Sequence, residues 1–264
     1  MGRITEKFIY LREKKEKALI VYLTAGDPSL AVTKNLIFTL EKAGADILEI
    51  GFPFSDPTAD GPVIQAAAQR ALKNGTTLEG VLKLIKEVRQ ASQIPIVLFG
   101  YFNPLFAYGV KKFADKAKRS GVDGVLVVDL PPEEAQELRE HTDAAGMDFI
   151  YLIAPTTGQE RTCSIAAEAA GFLYYVSITG VTGTAKPLIS EIKTAVEKIR
   201  KITKLPIAVG FGISQPKQAH EIARFADGIV IGSAVVRLIY ENKNRRDLLK
   251  KVASYIKGIK KALK

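Results

Sequence analysis

A chain of 264 residues with 47% hydrophobic and 25% charged side chains has the make-up of an ordinary globular protein. It holds no apolar run near the ~20 residues a bilayer crossing needs, and Met1–Lys7 lacks the apolar core of a secretion signal, so a cytoplasmic protein with no membrane role is expected. One cysteine, Cys163, excludes an intramolecular disulfide, suits a reducing compartment and reads as a helix-face filler.

The net charge of +10 suggests nucleic acid until it is located. Residues 1–17 carry six Lys/Arg against three Glu, 241–264 carry nine against two acids, and 18–240 carry 23 of each sign. The excess therefore sits on two amphipathic end segments, which read as solvated helix faces, and no RNA-binding motif accompanies them.

In chain order, a helix over Thr5–Lys15 precedes short apolar runs at Leu19–Thr24, Ile47–Ile50, Ile96–Phe99, Gly124–Val128, Phe149–Ile153, Leu173–Val176, Ile207–Val209 and Gly228–Ile231. Between them lie amphipathic stretches at Ala31–Ala43, Leu78–Ser92, Lys111–Ser120, Pro132–Ala145, Gln159–Ala170, Ile189–Lys201 and Gln215–Arg224. Alternation of the two predicts parallel βαβ units, and near-continuous apolar strands predict burial on both faces. Eight such strands without a linker predict an α/β fold, a single (β/α)8 TIM barrel over residues 1–264, with the extra N-terminal helix placed to plug its bottom. The rival is an open doubly wound sheet, but no G-x-G-x-x-G follows the first strand.

A barrel of this kind carries its chemistry at the C-terminal ends of the strands. The seventh strand ends in Gly210-Phe211-Gly212 and the eighth in Gly232-Ser233, each followed by a helix, which is a pattern for holding phosphate on backbone N–H groups; simple packing turns are the alternative. No strand end carries the lysine of a Schiff-base aldolase. The two histidines, His141 and His220, fall in helices, so a histidine-ligated metal site is not expected, and no metal is. What remains are Glu49, Asp60 and Asp129 with the phenols Tyr101 and Tyr174. Glu49 sits inside an apolar strand; desolvation there suits a general acid/base, and an ion pair is disfavoured because no strand end supplies a cation. Asp60, before Gly61-Pro62, reads equally as a functional carboxylate or a helix-start residue.

Gly51-Phe52-Pro53-Phe54-Ser55-Asp56-Pro57-Thr58-Ala59-Asp60-Gly61-Pro62, together with Thr24-Ala25-Gly26-Asp27-Pro28, Tyr101-Phe102-Asn103-Pro104, Asp129-Leu130-Pro131-Pro132, Gly180-Val181-Thr182-Gly183 and Gly210-Phe211-Gly212-Ile213-Ser214, resembles the tryptophan synthase alpha chain family across the whole chain. The resemblance implies cofactor-free cleavage of indole-3-glycerol phosphate to indole and glyceraldehyde 3-phosphate. It implies Glu49 as acid/base and Asp60 as acceptor of the indole N–H, with Thr182 orienting Asp60. Tyr22, Phe99, Tyr101, Leu126, Ile153, Tyr174 and Phe211 would surround the substrate, and Gly183, Gly212, Gly232 and Ser233 its phosphate. It further implies a pyridoxal-phosphate-carrying beta chain in an alpha2-beta2 heterotetramer, met through Pro53, Asp56 and Asn103. Two departures stand out: Ile178 where many members have arginine, and Tyr22 where some have phenylalanine. A standalone indole-releasing lyase, a non-catalytic subunit that activates a partner and a different sugar-phosphate barrel are the competing readings.

Overall fold

The structure, a computed structural model, describes residues 2–176, 189–210 and 212–264. The elements run α1 (Arg3–Glu13), β1 (Ala18–Thr24), α2 (Leu30–Ala43), β2 (Ile47–Gly51), α3 (Pro62–Lys73), α4 (Leu78–Val88), β3 (Ile96–Gly100), α5 (Phe102–Tyr108), α6 (Val110–Ser120), β4 (Gly124–Val127), a 3-10 turn (Pro132–Glu134) and α7 (Gln136–Ala144). They continue with β5 (Asp148–Phe149), β6 (Tyr151–Ile153), α8 (Gln159–Glu168), β7 (Leu173–Val176), α9 (Ile189–Ile202), β8 (Ile207–Gly210), α10 (Pro216–Ala223), β9 (Gly228–Ile231), α11 (Ser233–Asn242) and α12 (Leu248–Lys261).

All strand pairs are parallel, in the order β5-β4-β3-β2-β1-β9-β8-β7-β6. The two ends of that order, β5 and β6, are pieces of one expected strand, interrupted at Ile150. β5 pairs with β4 and β6 with β7, so the sheet curls into a nearly closed eight-stranded TIM barrel.

Two apolar layers follow from the strand period of two. Outward side chains such as Leu48, Ile50, Leu98 and Ile153 pack under the helices; inward ones such as Ile20, Ile47, Val97, Leu126, Ile150, Phe172, Ala208 and Val230 fill the barrel. Ile4, Phe8 and Leu11 of α1, at helical spacing, join that interior cluster, with the Phe8 and Phe172 rings 5.7 Å apart. The N-terminal helix therefore closes the barrel bottom. The positive charge of the two end segments is partly neutralised: Arg3 of α1 reaches Asp123 at 2.8 Å, Lys260 of α12 reaches Asp46 at 2.7 Å and Glu16 at 3.5 Å, and Lys264 reaches Glu16 at 3.2 Å.

The expected helix Pro132–Ala145 splits, because Ala135 N–H bonds back three residues to Pro132 and α7 starts only at Gln136. The expected Leu78–Ser92 helix stops at Val88, where Arg89 turns its guanidinium onto Gly121 O, Ile94 O and Asp123. α5 has no counterpart among the expected elements: Pro104 reads as a breaker, yet in a first turn its missing N–H is no loss. Cys163 lies exposed on α8 and fills no core.

Candidate active site

The mouth at the C-terminal ends of the strands holds a cavity of about 820 Å³. Inward alternation carries Ile20 then Tyr22 up β1, and Ile47 then Glu49 up β2, with Tyr22 in register with Glu49 and Glu49 with Val97. Glu49 is 1% exposed and lines this cavity. Its Oε1 has no hydrogen-bond partner among the described residues. No described residue offsets the loss of water, so burial pushes its pKa up to about 8.

Asp60 sits in the loop from β2 to α3 and is 9% exposed. Tyr101, at the end of β3, donates its hydroxyl to Asp60 Oδ2 at 3.1 Å and accepts the Ala59 N–H at 3.0 Å. Gln65, one turn into α3, donates its amide to the carbonyls of Asp60 (2.8 Å) and Pro57 (3.2 Å) and so pins the loop. Burial pushes the Asp60 carboxyl up, and the Tyr101 hydrogen bond holds it back, leaving it at about 6. Glu49 lines the cavity, whereas Asp60 and Tyr101 lie just behind its wall, where Ala59 and Gly61 on either side of Asp60 do line it; the two carboxyls are set on opposite sides of neutrality.

The aromatic wall is built on absent side chains elsewhere. Tyr22 and Phe99 meet edge to face at 5.1 Å. A β-carbon on Gly51 would stand 2.1 Å from Tyr22 Oη, and one on Gly210 would stand 2.2 Å from Tyr174 Oη. Only glycine at those two strand ends lets the phenols lie where they do.

Tyr22, Phe99 and Tyr174 line the cavity with Glu49. Leu126 lies in the interior cluster against which Phe99 and Tyr174 pack. Ile153 does not join them: it is 2% exposed in the outer layer under the helices. Alternation runs unbroken through Ile150: Phe149, Tyr151 and Ile153 face the outer layer, Ile150 and Leu152 face inward, and it is Leu152 that lines the mouth. Ile64 and Val128, not anticipated from sequence, also face the cavity.

Across the mouth, Gly212 takes a left-handed φ of 72°, and Gly232 and Ser233 stand at the start of the ten-residue helix α11. All three line the same cavity, so N–H groups at a helix start face the space in front of Glu49. Thr182, Gly183, Phe211 and the variant position Ile178 lie outside the described residues. Asp129 accepts the Phe102 N–H at 2.8 Å and caps α5, which gives it a structural occupation. His141 and His220 are on α7 and α10 and neither lines the mouth. Asp56 is exposed on the loop after β2 and Asn103 is exposed in the first turn of α5 rather than on a loop, whereas Pro53 is buried.

The chain matches the family model described as "Tryptophan synthase alpha chain" over residues 8–264. It is 49% identical over 263 residues to the tryptophan synthase alpha chain of Citrifermentans bemidjiense, covering 100% of this chain and 98% of that one. It is 50% identical over 260 residues to that of Geotalea daltonii, covering 98% of each. Among solved structures, the tryptophan synthase subunit alpha from Legionella pneumophila superposes with a TM-score of 0.94 at 39% identity, covering 100% and 98% of the two chains. A chain of tryptophan synthase from M. tuberculosis superposes with 0.90 at 28% identity, covering 100% of both. With the barrel, the mouth and these likenesses in agreement, the chain belongs to the tryptophan synthase alpha chain family.

Proposed function

We propose that Glu49 and Asp60 carry out the alpha reaction of this family here, the lyase step of tryptophan biosynthesis that splits indole-3-glycerol phosphate into indole and D-glyceraldehyde 3-phosphate. The observation that carries the assignment of roles is their opposite protonation near pH 7: Glu49, at about 8, holds its proton, and Asp60, at about 6, has lost it. Glu49 delivers its proton to C3 of the indole, which places positive charge on N1. Asp60 accepts the N1–H and offsets that charge as it develops. The Glu49 carboxylate then takes the proton of the hydroxyl on the carbon attached to C3. The C–C bond breaks, its electrons return to the ring, and the aldehyde departs. Atoms and charge balance with no cofactor.

Tyr22, Phe99, Leu126, Leu152 and Tyr174 would hold the indole, with Tyr101 orienting Asp60; Thr182 and Phe211 keep the parts the resemblance gives them. Gly212, Gly232 and Ser233, with Gly183, would hold the phosphate. The reading takes 1–264 as one domain in the cytoplasm. No described lysine lines the mouth, so the residues present do not supply the amine that pyridoxal phosphate chemistry requires. We therefore assign that cofactor to a beta-chain partner in an alpha2-beta2 assembly. Support for a docking face comes from Phe106, 58% exposed on α5 near exposed Asn103, and from Phe54, whose ring lies 5.3 Å from Tyr101.

Indole release from indole-3-glycerol phosphate tests the reading, with and without a beta chain. Glu49→Gln and Asp60→Asn should each lose about 10²–10⁴-fold in turnover while retaining substrate binding. Full activity in either variant overturns its assigned role.

A further inference from the structure

Backbone N–H groups at a helix start present only about half an elementary charge, whereas a phosphomonoester carries about −1.5 to −2 near neutrality. Anion binding by Gly212, Gly232 and Ser233 alone would leave most of that charge unmatched. One further group stands at the same place. Arg237 follows Ser233 by four residues, so the two share a face of α11. It lines the same cavity as the three phosphate-site candidates and is solvent-exposed. Its rotation about the helix is fixed by its neighbour Val236, 2% exposed and packed with Tyr22 and Ala67.

What singles it out is that it is uncommitted. The other described cation on the mouth, Arg161, is held by both oxygens of Glu133 at 3.0 and 3.2 Å. Arg237 has no hydrogen-bond or ion-pair partner among the described residues. A guanidinium fork matches phosphate oxygens two at a time, and such charge-assisted bonds are about twice as strong as neutral ones.

We propose that Arg237 is a substrate-binding residue: its guanidinium completes the phosphate subsite begun by Gly232 and Ser233, and its field draws the dianion to the mouth. The proposal rests on the lyase reading of this site, so its test keeps the two apart. Steady-state cleavage of indole-3-glycerol phosphate at low and high salt is measured for wild type, Arg237→Gln, Arg237→Lys and Arg161→Gln. Calorimetric binding of glycerol 3-phosphate, a probe without the indole, is measured for the same proteins.

Arg237→Gln should raise KM about tenfold and weaken glycerol 3-phosphate by a similar factor, with kcat and its pH limits unmoved. It should also flatten the salt dependence of kcat/KM. Arg237→Lys should recover most of the loss, and Arg161→Gln should behave as wild type. Wild-type KM, probe affinity and salt slope in Arg237→Gln overturn the proposal, as does an equal loss in Arg161→Gln, which would mean diffuse mouth charge. Wild-type protein that binds the probe through Arg237 but cleaves nothing sinks the lyase reading and leaves the phosphate contact standing. Wild-type protein that binds no probe overturns the contact.

Discussion

The two ends of this barrel treat the same chemical group in opposite ways. At the bottom, acids standing just before strands are saturated. Asp46 accepts the Leu19 N–H at 2.8 Å and meets Lys260; Asp123 accepts the Ile96 N–H at 2.7 Å and meets Arg3 and Arg89; Asp227 accepts the Ile207 N–H at 2.9 Å and meets Arg200. Each ties the start of one strand to the next and carries a counter-charge. At the mouth, Glu49 is buried more deeply than any of them and has an oxygen with no partner among the described residues. Burial by itself therefore does not mark a functional acid, and neither does a missing partner alone, since Asp148 at the start of β5 also has a buried oxygen unpaired among the described residues; Glu49 differs in lining the mouth cavity as well.

Breaking a bottom acid should cost stability and little else. Asp123→Ala strands Arg89, whose side chain is only 10% exposed, and should destabilise the fold by about 3–5 kcal/mol in urea unfolding while the folded fraction keeps its turnover. A large fall in kcat with unchanged stability would erase the distinction between the two ends.

Breaking the mouth acid should do the reverse. Between about pH 4.5 and 8 the folded chain retains a proton on Glu49 that the unfolded chain has released, so this group lowers stability as pH rises through that window. Glu49→Gln removes the effect. The variant should match wild type near pH 5 and exceed it at pH 9 by about 2 kcal/mol or more, since each tenfold of proton affinity is worth about 1.4 kcal/mol. Parallel pH-stability curves for the two proteins would show that Glu49 has a partner after all.

The smallest effect sharpens the contrast within the mouth itself. Wild-type kcat/KM should be bell-shaped, its acid limb near 6 from Asp60 and its alkaline limb near 8 from Glu49. Tyr101→Phe removes the donor that steadies the Asp60 anion, so the acid limb should move upward by as much as about one pH unit, with about a twofold loss at about pH 7 that grows toward about tenfold below about pH 6. An alkaline limb that moves instead would mean the roles of the two carboxylates are exchanged.

Much of this was legible from residue order. The alternation of apolar runs and amphipathic stretches leads to the barrel, and the absence of lysine and histidine from strand ends leads to Glu49. Three things were not. Ile153 and Leu152 are equally apolar, and which of them faces inward follows from the phase of the strand, Phe149 out and Ile150 in, that the apolar run itself does not reveal. Gln65 reads as an ordinary helix residue, because its grip on the Asp60 loop depends on a return of the chain rather than on spacing. Arg237 lies a turn beyond the glycine-rich strand end where an anion site is sought, and reaches the mouth only through the pitch of α11. Local pattern carries the elements; which side chains converge is set by how their ends are turned.

The phenol of Tyr22 and the missing side chain of Gly51 occupy one volume, contributed by two strands. Those positions are therefore inherited as a unit, and the order of change matters. An alanine at Gly51 meets both the hydroxyl and the Cζ of Tyr22, at 2.1 and 2.6 Å, so loss of the hydroxyl alone makes no room. A lineage, or a designer, reshaping this wall keeps the other side chains in place only by first shrinking Tyr22 to an aliphatic residue and then filling the position opposite; the reverse path passes through a protein in which the Tyr22 ring must leave its place on the wall.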